Sequence, residues 1–235
     1  MEENKQMGTA QPGLADRRAD PDAERSWVPV CSLAAADQAR ILEHLRALPA
    51  ADRYLRFGHA ASDERIEAYV RALDYQRDEV FGIINRRLQL SAFAHLAYPT
   101  EPQLATRPAL VEFGVSVLPH ARRRGYGRRL FEHAVTLARN RGVDRLFIHA
   151  LSGNTAMLAI AREAGAKVER DGSESNARLE LAPDTIASQV EEIMEAQAGH
   201  LDYRYKRHAV RLGRLLDAAA ELRRKLARFG GAALE

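Results

Sequence analysis

From residue 27 onward, apolar positions along the chain follow two rhythms, the two-residue period of strands and the 3.6-residue period of helices. Trp27 to Leu33 reads as a first strand. Ile41, Leu42, Leu45 and Leu48 set a helix over Asp37–Leu48, and a second short helix follows around Ala51–Arg56. Ser62 stands as the N-cap of a third, with Ile66, Tyr69, Val70 and Leu73 on one face. Val80–Ile84 and Leu88–Tyr98 are rich in strand formers and flank Asn85-Arg86-Arg87, which predicts a hairpin. A Pro-containing loop, Pro99 to Pro108, leads into a strand over Val111–Leu118. The helix after Gly127 turns Leu130, Phe131, Ala134, Val135, Leu137 and Ala138 inward, and Gly142 is placed to end it. Arg145–Ala150 is the next strand. Asn154 caps a helix carrying Met157, Leu158, Ile160 and Ala161, which stops near Gly165. Lys167–Arg170 and Ala177–Leu181 then close the sheet.

The order is strand, helices, two strands, strand, helix, strand, helix, two strands, which predicts an α/β fold with a mixed central sheet of six to seven strands. Residues 27–182 form this domain. Residues 1–26 are polar, charged and poor in large apolar side chains, and read as a disordered tail. Residues 183–235 read as a helical extension of two helices, Asp184–Ala198 and His200–Phe229. Between Tyr203 and Phe229 lie nine Lys/Arg against Asp217 and Glu221, so the second helix has a basic face. The apolar stripe of these helices offers a surface for a homodimer.

Net charge is only +3, so electrostatic recruitment rests on local patches. No nucleic-acid-binding motif accompanies the basic helix, and nucleic acid is not the expected partner. Cys31 is the only cysteine, which excludes a disulfide framework within the chain and fits a reducing compartment. No apolar run approaches the ~20 residues of a membrane span. The N-terminus lacks the basic-then-apolar layout of a signal peptide. The expectation is a cytoplasmic protein with no membrane partner.

One stretch carries chemistry. After the Val111–Leu118 strand, Pro119 and His120 interrupt the pattern. Arg122-Arg123-Arg124-Gly125-Tyr126-Gly127 then opens the next helix at Arg128-Arg129-Leu130. A strand, a glycine turn and a helix start make an anion site. The first helical N–H groups have no internal partner and lie at the positive end of the dipole. Glycines admit a phosphate closely, and arginines add charge-assisted forks. A P-loop is excluded because no lysine followed by Ser or Thr stands here. The dinucleotide fingerprint is excluded because its third glycine would fall on Leu130.

The spacing that fits is Gln/Arg-x-x-Gly-x-Gly/Ala after a strand, here Arg122, Gly125 and Gly127. In that context, over roughly Trp27 to Leu181, the chain resembles the GNAT superfamily of N-acetyltransferases. Arg53-Tyr54-Leu55-Arg56-Phe57 and Glu112-Phe113-Gly114-Val115 further resemble the acetyltransferase domain of bacterial protein-lysine acetyltransferases of the Pat type. The resemblance implies a bacterial enzyme using acetyl-CoA as co-substrate and no metal. It would move an acetyl group to a primary amine, on a protein lysine or a small molecule, by direct transfer in a ternary complex.

On that resemblance Glu112 is the candidate general base, with Glu79 and His95 as weaker alternatives. Val115 and Val117 would hold the pantetheine through main-chain groups, and the N–H near Val115 would polarise the thioester oxygen. Arg122, Arg123, Arg124, Gly125, Tyr126, Gly127 and Arg128 would cradle the pyrophosphate, and Asn154 would contact the pantetheine or serve only as an N-cap. Many family members place an acid tyrosine seven residues after the asparagine. This chain has Ala161 there, with Ser152 or Tyr126 as substitute donors. Ala161 keeps a second reading open, an acyl-CoA-binding module without catalysis. The basic C-terminal helix keeps a third, an interaction protein.

Overall fold

A computed structural model describes residues 28–99 and 110–231, the side chains of 219 and 222–231 excepted. The tail of residues 1–26, Trp27 and most of the Pro99–Pro108 loop lie outside the described residues. Strands β1 (Cys31–Ser32), β2 (Glu79–Ile84), β3 (Leu90–Ala97), β4 (Leu110–Val117), β5 (Arg145–Leu151), β6 (Lys167–Asp171) and β7 (Glu174–Glu180) build one sheet. Their order is β1-β2-β3-β4-β5-β7-β6. Every neighbouring pair is antiparallel except β4 with β5. The α-helices among the described residues are α1 (Gln38–Arg46), α2 (Ala50–Phe57), α3 (Asp63–Arg71), α4 (Tyr126–Asn140), α5 (Thr155–Glu163) and α6 (Ile186–Gly231). The architecture is the mixed sheet flanked by helices, with a helical C-terminal extension, that the apolar pattern predicts.

Central strands are buried on both faces, and their side chains sort accordingly. Along β3, Ala92, Ala94 and Leu96 join one apolar cluster with Val111 and Phe113 of β4 and with Leu130, Phe131 and Ala134 of α4. Phe113 and Phe131 meet edge-to-face at 5.4 Å between ring centres. Phe93 points the other way, into a cluster with Ile41 and Leu45 of α1 and Ile66 and Val70 of α3. The helix starts follow the capping chemistry the sequence shows. Ser62 accepts from the Arg65 N–H at 3.4 Å, and Asn154 accepts from the Met157 N–H at 3.2 Å.

Boundaries shift for local reasons. The first strand shrinks to Cys31–Ser32, which pair with Gly82 and Phe81 of β2, and Leu33 adds a single bond from its N–H to the Val80 carbonyl at 2.8 Å. Leu88 adopts φ 63° in the hairpin turn, so β3 begins at Leu90. The larger correction concerns the C-terminus. The two helices expected over Asp184–Ala198 and His200–Phe229 are one continuous helix of 46 residues, roughly 70 Å long.

Gly199, the apparent break, is a contact and not a hinge. A Cβ at this position would lie 2.1 Å from the Val30 carbonyl oxygen, so the glycine lets α6 approach β1. Around it, Lys206 donates to the Ile84 carbonyl at 2.6 Å, and Arg40 stacks over the Tyr203 ring at 5.6 Å. Glu195 is buried between Arg129 and His133 of α4 and bonds both. Burial pushes its carboxyl up, but hydrogen bonds from His133 and Arg129 outweigh this and hold it low. The domain therefore grips α6 through polar and small residues.

The glycine contact carries a signed expectation. In a free helix, Gly199→Ala would stabilise by ~1 kcal/mol. Here it should instead cost about 2 kcal/mol through overpacking, a fall of roughly 4–8 °C in Tm for a domain of this size. A melting temperature that stays level or rises would contradict the close approach.

Candidate active site

The parallel ladder between β4 and β5 is short. Leu110, Val111 and Glu112 pair with Arg145, Leu146 and Phe147, and there the ladder ends. β4 runs on along β3 as far as Val117, while β5 runs on along β7 as far as Leu151. The sheet therefore forks at Glu112. The Leu118 N–H donates to the Ser91 carbonyl at 3.0 Å, toward β3. Backbone groups alternate along a strand, so Val115 and Val117 direct their N–H and C=O groups away from β3, into the fork. The Val117 carbonyl accepts from Arg122 Nε at 3.3 Å, in agreement with that direction.

The loop closing the fork is built for a helix start that faces it. Gly125 is the N-cap of α4 at φ 74°, a left-handed conformation that a side chain disfavours. Arg123 also stands at positive φ, 60°. No side chain caps this helix, so its first N–H groups face the opening with the positive end of the dipole behind them. A Cβ on Gly127 would sit 3.4 Å from Ile160 Cδ1 and 3.9 Å from Val117 Cγ2, so α4, β4 and α5 converge there.

Between these elements opens a cleft of about 600 Å³. Of the residues singled out from the sequence, Val115, Val117, Arg122, Arg123, Gly125, Tyr126, Gly127, Arg128 and Asn154 line it together. Arg124 does not line it, and is an exposed residue of the turn. Two ion pairs straddle the opening, Arg122 with Asp52 of α2 and Arg128 with Glu163 of α5. Arg123 has no carboxylate partner among the described residues.

Glu112 is exposed and lies outside the cleft lining, at the apex of the fork, about 10 Å along the strand from Val115. It shares a strand face with Gly114 and Ser116, the face that α1 to α3 cover. Ser116 Oγ bonds His44 Nε2 at 2.9 Å. The Arg56 guanidinium lies over Gly114, where a Cβ would meet its Cζ at 2.6 Å. A directed chain of hydrogen bonds starts from Arg56. Nη2 donates to Tyr69 Oη at 2.9 Å, the hydroxyl donates to His95 Nδ1 at 2.9 Å, and Nε2 donates to Asp78 Oδ2 at 3.0 Å. Burial lowers the His95 pKa, which keeps the ring neutral and suits this pattern of one donor and one acceptor. The charge of Glu112 acts on both Tyr69 and His95.

The weaker sequence candidates separate. Glu79 pairs with Arg141 and, like Glu112, does not line the cleft. His95 is held between Tyr69 and Asp78. Ser152 Oγ is bound to the Gly172 and Glu174 carbonyls and to Ser175, and Ser152 does not line the cleft. Tyr126 lines the cleft. Ala161 is fully buried in the core. Sequence reasoning missed Asp52, Arg56 and Ser116 as lining residues. The run Arg53–Phe57 marked this part of α2 only as family-like, and nothing local reveals which side chains of α2 reach across to β4.

The sequence and the fold both match known proteins. A model of the acetyltransferase (GNAT) family matches residues 42–166, more than half the chain. No curated protein matches it. Among solved structures, the fold is similar to the GNAT domain of PAT from S. lividans, at TM-score 0.55 and 20% identity, over 65% of this chain and 89% of that one. It is similar to yncA of Salmonella typhimurium, solved with its cofactor acetyl-CoA, at TM-score 0.53 and 18% identity over 68% and 97%. It is also similar to a phosphinothricin acetyltransferase from Sinorhizobium meliloti in complex with acetyl-CoA, at TM-score 0.53 and 17% identity over 68% and 91%.

The Asp78 end of the hydrogen-bond chain sets an acid-stability expectation. Burial pushes its carboxyl up, but bonds from Arg77, the Tyr98 N–H and His95 outweigh this and hold it at about 2. A depressed carboxyl stabilises the fold fully above its unfolded value near ~4, and the contribution disappears as pH falls toward 2. Asp78→Asn should therefore be less stable than the parent in denaturant titrations at pH 7, with the gap narrowing between pH 4 and pH 2. A gap independent of pH would contradict the ionised, bonded state of Asp78.

Proposed function

Because the chain belongs to the GNAT acetyltransferase family, we propose that it transfers an acetyl group from acetyl-CoA directly to a primary amine within a ternary complex. The observation that carries this reading is the fork at Glu112, with a helix N-terminus and a basic glycine loop at its far end. Two proteins of similar fold were solved with acetyl-CoA, which supports the same ligand here. The thioester supplies an activated acetyl group. The amine loses a proton as its bond to the acetyl carbon forms, and the sulfur leaves as thiolate and takes one up.

Each end of the cleft has a part in this. The N–H groups at the start of α4 and the Arg122–Arg128 loop bind the pyrophosphate, and its charge competes with Asp52 and Glu163 for Arg122 and Arg128. Val115 and Val117 pair through their main chain with the amide-bearing pantetheine as a strand would, and the Val115 N–H polarises the carbonyl. Asn154 serves first as the N-cap of α5. Glu112 takes the amine proton through water. Such help is needed because an alkylamine, with a reference pKa near ~10.4, is almost fully protonated at neutral pH.

The acceptor is an amine presented on the exposed face beside Glu112 and Arg56. The resemblance of Arg53–Phe57 and Glu112–Val115 to the Pat-type protein-lysine acetyltransferases favours a protein lysine. The transferase unit spans residues 27–182 and works in the cytoplasm, with residues 183–235 as its appendage. Ala161 favours a second reading, binding without turnover, because it leaves a buried methyl where many relatives have a hydroxyl.

Glu112→Gln separates the two. Transfer predicts a drop in kcat of roughly 10²-fold or more, the range of general-base catalysis, with acetyl-CoA affinity unchanged. Equal losses in both would contradict the base role. A parent protein that binds acetyl-CoA yet releases no CoA with any amine or lysine peptide would favour binding alone.

A further inference from the structure

α6 is amphipathic in the opposite sense from a helix that packs on a core. The contacts that hold it to the domain run from Ser188 to Lys206 and use Ser188, Glu192, Glu195, Gly199, Tyr203 and Lys206. At 100° per residue these positions share one side of the helix. The opposite side bears Ile186, Val190, Ile193, Met194, Leu201, Tyr205, Leu212, Leu215 and Leu216, all exposed. Leu212, Leu215 and Leu216 are 59%, 67% and 62% exposed, far from any core. From Met194 the spacing becomes 4-3-4-3 through 198, 201, 205, 208, 212 and 215, and in sequence it continues at 219, 222, 226 and 229. That is the spacing of a coiled-coil a/d seam, and its large members Met194, Leu201, Tyr205, Leu212 and Leu215 are exposed.

Charge along the same helix is divided end from end. Residues 184–203 hold Asp184, Glu191, Glu192, Glu195 and Asp202 with no Lys or Arg, whereas 204–229 hold nine Lys/Arg against two acids. Two such helices side by side in parallel would place like halves together. Reversed, each acidic half lies along a basic half. We propose that α6 pairs antiparallel with α6 of a second copy of this chain, burying the apolar stripe along its full length.

The register is centred near Tyr205 and His208, which face each other across the twofold axis. The area suffices: nine exposed apolar side chains at roughly 100 Å² each reach the ~800 Å² per partner of a standard interface. The domains grip the opposite sides of their helices, so they flank the coil without meeting, and each leaves its acetyl-donor cleft open. Pairing also covers the stretch of α6 beyond Lys206 with the first half of the partner's helix.

Sedimentation equilibrium on the full chain tests the pairing. The parent is expected to be a dimer at micromolar concentration. Leu212→Glu with Leu215→Glu should give a monomer with unchanged helicity and unchanged acetyl-CoA binding, since both positions project away from the domain. A monomeric parent, or a double variant that stays dimeric, would overturn the proposal.

Orientation is read from one spin label on Ile186→Cys. The native thiol of Cys31 is buried, with its pKa pushed up to about 11, and stays unlabelled. Antiparallel helices hold the two labels roughly 60 Å apart, by helix rise, whereas labels within ~20 Å would mean a parallel pair and overturn the arrangement. Basic apolar helices also bind anionic membranes. Co-sedimentation of monomer with phosphatidylserine vesicles would assign the stripe to a lipid surface and overturn the dimer.

Discussion

A strand buried in a sheet cannot leave its backbone groups without partners at small cost. At Glu112 the strand pairing ends all the same, and the Val117 carbonyl takes its bond from Arg122 and not from a strand. β4 and β5 stop pairing after three residue pairs, and Val115 and Val117 turn their main-chain groups into a gap. The rest of the molecule is arranged so that the gap survives. β3 and β7 hold the outer edges of the two strands, α4 and α5 converge on Gly127, and α2 closes the other side through Asp52 and Arg122. A sheet opened in this way offers backbone groups that suit an extended, amide-bearing ligand. The α4 N-terminus at its far end favours negative charge there.

The face above the fork is polar for a related reason. Arg56 lies on Gly114 where no other residue leaves room, and its guanidinium is held by the chain through Tyr69 and His95 to Asp78. Each group in the chain has a defined donor or acceptor role, so the arginine is fixed without a carboxylate touching it. A cation is thereby kept over Gly114, two residues along the strand from Glu112.

Much of this was legible in the sequence, and the remainder was hidden for identifiable reasons. Periodicity fixes element type because it reports burial, so the strand and helix order came through, with Ser62 and Asn154 as caps. The strand-to-helix turn was legible because Gly125 follows Arg122 at the spacing of a turn whose backbone enters the left-handed region. The fork itself leaves no trace in Val111–Val117, because where a ladder ends depends on the neighbouring strand. Arg56 on Gly114 and His44 on Ser116 join residues 58 and 72 positions apart, beyond any local pattern. The split into two helices at residue 199 failed because the helix runs straight through Gly199, where close contact with Val30 needs a glycine despite its low helix propensity.

The most direct measurement is a calorimetric titration of the protein with acetyl-CoA, beside an Arg122→Ala, Gly125→Asp double variant. Micromolar affinity, roughly −8 kcal/mol, in the parent and none in a variant that retains its fold is the expected result. No binding by the parent, or equal binding by both, would mean that the fork and its loop are not the acetyl-CoA site.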